Sequence, residues 1–260
     1  LRWEERRGKG GKGDSKDNLC WGRNGVISML ETAPEACHKI YMATGSQRSF
    51  RDEILGLAGP NAIEVVEAGG SHLDDLTGGE KHQGVVAEIE MPRPLDLSDL
   101  PDKEGPSLLL IMDHLKDPHN FGAIIRTAEV AGADGIVFPG RRSVGITGTV
   151  IKTSAGAIFR LPLFEVVNLV RALEDLKKRG YWVVGLDHRS ERDIWDSPLP
   201  DRLALVVGSE GEGMSRLVSE RCDDLRKIPM VGETGSLNAS VASALGMFEW
   251  RRLNLPSVKD

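Results

Sequence analysis

Continuous apolar runs and amphipathic runs alternate along the second half of this chain. LLLIMD (Leu108 to Asp113) is apolar without interruption, as expected of a strand buried on both faces of a parallel sheet. GIVF (Gly135 to Phe138), YWVVGLD (Tyr181 to Asp187), LALVVG (Leu203 to Gly208) and LRKIPM (Leu225 to Met230) predict further strands. VVNLVRALEDLKKRG (Val166 to Gly180) instead sets apolar residues at helical spacing, with lysines in its last turn and a closing glycine, and predicts a helix. The expected fold class is α/β, with a carboxy-terminal parallel sheet covered by helices.

The first half is patterned in shorter pieces. KIYMA (Lys39 to Ala43), IEVV (Ile63 to Val66) and VVAEIE (Val85 to Glu90) alternate with helical patterns around Val26 to Leu30 and Phe50 to Leu57, which predicts a small amino-terminal α/β domain over residues 21–91. MPRPLDLSDLPDKEGP (Met91 to Pro106) carries four prolines and repeated acids, so 92–106 reads as a linker to a second domain over 107–256. Residues 1–20 are rich in Gly, Lys, Arg and Asp with almost no apolar periodicity, and too little apolar surface is present there to offset the entropy of ordering. A disordered basic tail is expected.

Composition narrows the function classes. The 260-residue chain has room for two domains, but its formal net charge of -6 means that contact with a polyanion must come from local basic patches. Cys20, Cys37 and Cys222 show neither C-x-x-C spacing nor an even disulfide framework, which suits a reducing compartment and no structural metal. No apolar run has the length of about 18 residues that a membrane span needs, and no charged-then-apolar leader is evident. A cytoplasmic protein is expected.

The chemistry concentrates in three segments with one grammar of strand, polar or glycine-rich loop and helix start. GSEGEG (Gly208 to Gly213) has glycines that free backbone amides for a ligand, yet no Lys-Ser/Thr follows, and Glu210 and Glu212 would repel phosphate. A neutral or cationic ligand is favoured over a nucleotide triphosphate. IPMVGETGSLN (Ile228 to Asn238) reverses at Gly232 to Gly235, and Ser236 and Asn238 then stand at a helix start as capping residues. In DPHNFGAIIRTA, Asp117 and Pro118 begin a turn, Asn120 and Gly122 open a helix, and Arg126 follows within the first two turns. Read as residues only, Arg126 is a solvated helix arginine or the partner of Glu129, His119 is a surface histidine, and His188 has no assigned role.

Together N-x-G-A-x-x-R-T-A from Asn120, G-S-E-G-x-G from Gly208 and I-P-M-x-G-x-x-x-S-L-N-x-S-x-A from Ile228 resemble the three signature motifs of the SpoU-type RNA 2'-O-ribose methyltransferases, members of the knotted SPOUT superfamily. The resemblance runs from Leu108 to Leu253. Residues 21–90, chiefly His82, Gln83 and Gly84, are similar to the accessory domain of the branch that methylates a guanosine of 23S ribosomal RNA. It implies a deep trefoil knot in the carboxy-terminal domain and an amino-terminal RNA-binding domain like ribosomal proteins L30e and L7Ae. S-adenosylmethionine is the implied methyl donor, without a metal, and ribosomal RNA and a second copy of the chain are the implied partners.

The catalytic set carried over is Arg126, Asn120, Glu210, Ser236 and Asn238, with Val207, Gly208, Gly213, Ile228, Met230, Ser236 and Leu237 holding the donor. Arg126, Arg141, Arg142 and Lys152 are the expected RNA contacts, Arg126 reaching the site across a dimer interface, and the basic tail is a further arm for RNA phosphates. A transfer RNA methyltransferase with the same loops, or an RNA-binding assembly factor without catalysis, are the competing functions.

Overall fold

The computed structural model describes residues 18–141, 143–209, 211–232 and 235–255. Arg142, Glu210 and the expected tail up to residue 17 lie outside the described residues. In chain order the elements are β1 (Leu19–Trp21), α1 (Arg23–Thr32), β2 (Cys37–Ala43), α2 (Arg48–Ala58), β3 (Glu64–Ala68), α3 (Gly70–Thr77), β4 (Val85–Ile89), β5 (Ser107–Asp113) and α4 (Pro118–Val130). There follow β6 (Gly135–Pro139), α5 (Gly148–Thr153), β7 (Leu163–Val166), α6 (Leu169–Lys178), β8 (Trp182–Leu186), β9 (Arg202–Gly208), α7 (Arg216–Ser219), β10 (Asp224–Arg226) and α8 (Ala239–Leu253).

The described residues form two compact units: 18–93 together with Ile146–Arg160, and Pro94–Gly145 together with 161–255. The first holds a mixed sheet in the order β1-β4-β2-β3, with β2 and β3 parallel and β4 antiparallel to both β1 and β2. Leu19 and Trp21 pack with Val86 and Leu73 on it. The basic tail therefore stops short of residue 20: Leu19 and Cys20 are buried in β1, because pairing with Glu88 and Ala87 of β4 satisfies their backbone.

The expected domain map changes in two places. Ile146–Arg160 belongs to the first unit, where Gly148 is seated so tightly that a Cβ would lie 2.0 Å from the Trp21 ring. Ser28 Oγ donates to the Gly156 carbonyl at 3.3 Å and accepts from the Arg160 guanidinium. The proline-rich stretch expected as a linker is part of the second unit instead. Leu95 pairs with β7, its N–H donating to the Leu163 carbonyl at 2.7 Å, and Leu95 and Leu100 are buried in that unit's core. Apolar burial at these two positions outweighs the tendency of the surrounding prolines to stay irregular.

The HQG turn serves the fold. Gln83 adopts a left-handed φ of 55°, and its Oε1 accepts the Arg23 N–H at 3.0 Å, where α1 begins. His82 Nδ1 accepts from the Gly84 N–H at 3.0 Å, so its proton sits on Nε2, 3.2 Å from Asp74 Oδ1.

The second unit carries a six-stranded, wholly parallel sheet ordered β10-β8-β9-β5-β6-β7. All seven residues of β5 are buried, as its unbroken apolar pattern requires. The helix expected from Val166 starts at Leu169, where the Asn168 side chain accepts the Arg171 N–H at 3.1 Å, and Val166 ends β7. The strand expected over Leu225–Met230 ends at Arg226. Lys227 N–H is drawn to the Arg192 carbonyl, and Pro229 has no N–H to extend the ladder. Ile228 and Met230 are thereby released into a loop.

Register brings the functional segments to one edge. Asp113 lies opposite Gly208, Val207 opposite Leu186, and Leu186 opposite Arg226, so the loops after β5, β8, β9 and β10 leave from neighbouring strand ends. Open parallel sheets bind ligands at this carboxyl edge.

The cysteines are free, and burial pushes the thiols of Cys37 and Cys222 up to about 12 and that of Cys20 higher still. Since the thiolate is the reacting species, iodoacetamide at pH 7.5 is expected to leave all three unmodified in native protein and to alkylate them after denaturation. Rapid native labelling, read by mass spectrometry, would contradict this burial.

Candidate functional site

An open cleft lies at the carboxyl edge of the parallel sheet. Leu186, Asp187 and His188 from the end of β8 form one wall, and Val207, Gly208, Ser209, Gly211 and Gly213 from the end of β9 form its floor. Ile228, Met230, Ser236 and Leu237, with Ala239 and Ala242 of α8, complete it. All seven expected donor-binding residues line this one cleft.

The glycine loop after β9 is folded back on itself. Ser209 and Gly213 exchange backbone hydrogen bonds, the Ser209 N–H to the Gly213 carbonyl at 3.1 Å and the Gly213 N–H to the Ser209 carbonyl at 2.9 Å. Gly211 and Gly213 take φ of 81° and 69°, a region that disfavours any side chain. Gly208 is required for another reason: a Cβ there would fall 2.1 Å from the Gly213 carbonyl carbon. The close approach it permits is chain on chain, beside whatever ligand its exposed edge meets.

Asn238 joins the first and third segments. As N-cap of α8 its Oδ1 accepts the Ser240 N–H at 2.9 Å and the Val241 N–H at 3.4 Å, and its Nδ2 donates to Asn120 Oδ1 at 3.1 Å. Ser236, expected as a second cap, lies two residues before the N-cap, exposed at the cleft. Helix α4 begins earlier than expected, because Pro118 fits its first position and Asp117 caps the His119 and Asn120 amides. Arg126 consequently falls in the third turn. It is exposed and makes no hydrogen bond or ion pair among the described residues, so the pairing with Glu129 is not formed.

Of the other expected RNA contacts, Arg141 is exposed. Lys152 belongs to the first unit and is bound to Glu80 Oε2 at 2.7 Å, its ammonium 5.9 Å from the Trp21 ring centroid. This makes Lys152 an internal tie of that unit.

Asp187 and His188 are cleft residues that the motifs do not contain. Arg189 grips the Asp187 carboxylate with Nε at 2.9 Å and a terminal nitrogen at 2.7 Å, and this fork holds its pKa below the usual carboxylate range. A carboxylate whose folded-state pKa is depressed stabilises the fold above its unfolded pKa and loses that contribution as pH falls through the folded value. The contribution of the Asp187–Arg189 pair to the turn after β8 is therefore fully present at neutral pH and lost in acid. Position was the available signal, since both residues follow directly on a buried strand adjacent to β9.

The lining determines which ligands fit. Aliphatic side chains from Leu186, Val207, Ile228, Met230 and Leu237 offer walls for a flat ring, backbone amides and carbonyls supply the polar edge, and no described lining residue is Lys or Arg. Such a cleft suits a largely apolar ligand with neutral or positive polar groups. A parallel α/β domain with this ligand cleft at the meeting of three loops is the frame of a group-transfer enzyme.

Residues 107–248 match the model of the SpoU rRNA methylase family, and residues 19–95 match that of the RNA 2'-O ribose methyltransferase substrate-binding domain. The chain belongs to the SpoU rRNA methylase family. It is 44% identical to the putative TrmH family tRNA/rRNA methyltransferase YacO of Bacillus subtilis over 90% of this chain and 95% of that one. It is 40% identical, with the same coverage, to the 23S rRNA (guanosine-2'-O-)-methyltransferase RlmB of Ralstonia nicotianae. Among solved structures it is similar to the SpoU methyltransferase AviRb of Streptomyces viridochromogenes, at 25% identity with a TM-score of 0.77 over 92% of this chain and 90% of that one. AviRb has also been solved in complex with the cofactor AdoMet. No helix among the described residues is long and apolar enough to cross a membrane.

Proposed function

We propose that this protein transfers a methyl group from S-adenosylmethionine to the ribose 2'-hydroxyl of a guanosine in 23S ribosomal RNA. The observation that carries the proposal is the convergence of the three motif loops on one strand edge, two of them lining the cleft and the third tied to it through Asn120 and Asn238. The relatives named for tRNA/rRNA and for 23S rRNA methylation support the substrate class.

The cleft fits the donor. Leu186, Val207, Ile228 and Leu237 would enclose an adenine ring, the amides about Gly208 and Leu237 would meet its polar edge, and Asp187 and the acids of the GSEGEG loop favour a positively charged ligand. When bound, S-adenosylmethionine supplies a methyl group on a sulfonium. The acceptor hydroxyl is a weak acid and a poor nucleophile, so the protein must align it and disperse the charge that develops on its oxygen. Arg126 takes that part: while the hydroxyl proton passes to water, a guanidinium that stays protonated binds the alkoxide and the neighbouring phosphate through its fork of donors. Asn120, held by Asn238, orients the start of its helix. Glu210 and Ser236 complete the catalytic set, with Arg141 and Arg142 as RNA contacts.

A homodimer is supported by α8, where Val241, Leu245 and Phe248 are exposed by 46%, 40% and 46% at successive helical turns. Pairing of this stripe with a second copy would bring Arg126 of one protomer to the cleft of the other. The carboxy-terminal unit carries the trefoil knot of the SPOUT proteins, and the amino-terminal unit, an RNA reader like L30e, presents an unpaired nucleotide.

The test is transfer of labelled methyl from S-adenosylmethionine to unmodified ribosomal RNA and, separately, transfer RNA, with mapping of the modified nucleotide. Labelling of a single 2'-hydroxyl in 23S RNA is expected. Labelling of transfer RNA would move the substrate, and failure to bind the donor would leave an RNA-binding factor without catalysis.

A further inference from the structure

Asp113 lies outside the three motifs, yet its carboxylate closes the loop that forms the cleft floor. It is the last residue of β5 and 1% exposed. Its Oδ2 accepts the Ser215 N–H at 2.6 Å, and its Oδ1 is paired with Nδ1 of His114, a residue in the left-handed region at a φ of 59°. Register sets Asp113 beside Gly208, where the glycine loop departs, and Ser215 is where that loop ends, as N-cap of α7. One side chain thus holds the return of a loop whose start is its own backbone neighbour. Within the ring so formed, the Ser209–Gly213 pair and the contact of Gly208 with the Gly213–Met214 backbone hold Gly213 against the end of β9.

Nothing in this arrangement draws on a ligand. We infer that Asp113 is a positioning residue that holds the Gly208–Ser215 loop in its donor-ready form before the donor enters. A ligand meeting a preformed loop does not have to supply the free energy of ordering it. Loss of the Asp113 anchor would therefore appear in donor affinity, while saturating donor would restore the loop and the rate of transfer.

This inference rests on the donor-binding reading of the cleft. Asp113→Ala and Asp113→Asn are compared with the wild-type chain by calorimetric titration with S-adenosylmethionine, by methyl-transfer kinetics, and by hydrogen exchange of residues 211–215 without donor. Asp113→Ala is expected to weaken donor binding by about tenfold to a hundredfold, the effect of losing a hydrogen bond to a charged group. KM for the donor rises in proportion and kcat stays near the wild-type value. Asparagine keeps an acceptor oxygen and is expected to recover most of the affinity.

Wild-type affinity in Asp113→Ala would overturn the inference, as would an Asp113→Asn variant no better than alanine. Should alanine unfold the chain, exchange decides: a Ser215 amide protected in donor-free wild-type protein, and protected in Asp113→Asn as well, supports the role, and an unprotected Ser215 in wild type overturns it. Wild-type protein that binds no donor would refute the functional reading instead, leaving the exchange result to report on Asp113.

Discussion

Replacing Arg126 by alanine is expected to lower methyl transfer by about 10²–10³-fold, the usual effect of deleting one group that stabilises developing negative charge. Donor affinity and Tm should stay unchanged, because the side chain is exposed, bonds to no described residue and is absent from the cleft lining. Lysine at this position retains charge without the planar fork and should recover only a small part of the rate. Kinetics with donor and RNA varied independently, beside a thermal melt, make the comparison. An Arg126→Ala enzyme with full kcat would remove Arg126 from the chemistry. Mixing Arg126→Ala protomers with protomers unable to bind donor tests sharing across the dimer: activity should return in the mixture, because one of the two clefts then combines an intact donor site with an intact arginine.

Gly208→Ala should damage the same enzyme from the other side, through the donor. The added methyl would lie 2.1 Å from the Gly213 carbonyl carbon and 2.2 Å from the Met214 nitrogen, both backbone atoms that no rotamer change can withdraw. Relieving the clash has to displace the Gly213–Met214 backbone and break the Ser209–Gly213 pair. Overpacking of this kind costs about 1–3 kcal/mol, or a fall in Tm of about 2–10 °C for a chain of this size. Donor binding should fall with it, by about tenfold or more on the same free energy. Gly211→Ala is the control: its φ of 81° carries strain, but open space surrounds it, so a cost near 1 kcal/mol is expected. Equal donor affinity in Gly208→Ala and wild type would show that the loop's return is unimportant to the cleft.

The central strands were legible because they are buried on both faces. Between their ends, Leu108–Met112 of β5 and Leu203–Val207 of β9 have no polar position to confuse with a helix stripe, and the motif loops follow directly from strand ends. The elements that escaped prediction are short ones whose stability comes from partners distant in sequence. β1 has three residues and exists by pairing with β4, and α5 has six and is held by contacts of Gly148 with Trp21. Proline content misled at Met91–Pro106, where two buried leucines decide the packing.

At the site, residue types revealed the ligand class and the loops, whereas the relations between loops were invisible. Asp113 and Ser215 are far apart in sequence, as are Asn120 and Asn238, and no local pattern marks either pair. Ser236 and Asn238 looked alike as caps, and only the helix start separates their roles.

The order of the parallel sheet also governs how this chain can be made. β5 pairs with β9, so Ser107 finds its neighbour at Arg202 and Asp113 at Gly208. At a synthesis rate of ~5–20 residues per second, β5 waits roughly 5–19 s for that partner after it is translated. During that interval an unbroken apolar strand, later buried at every residue, has one edge and both faces incompletely covered. Parallel pairing at such separation folds slowly and is exposed to aggregation. The nascent chain is therefore a natural client for chaperones, and co-expressed holdases should raise its soluble yield more than any stabilising substitution on the finished surface.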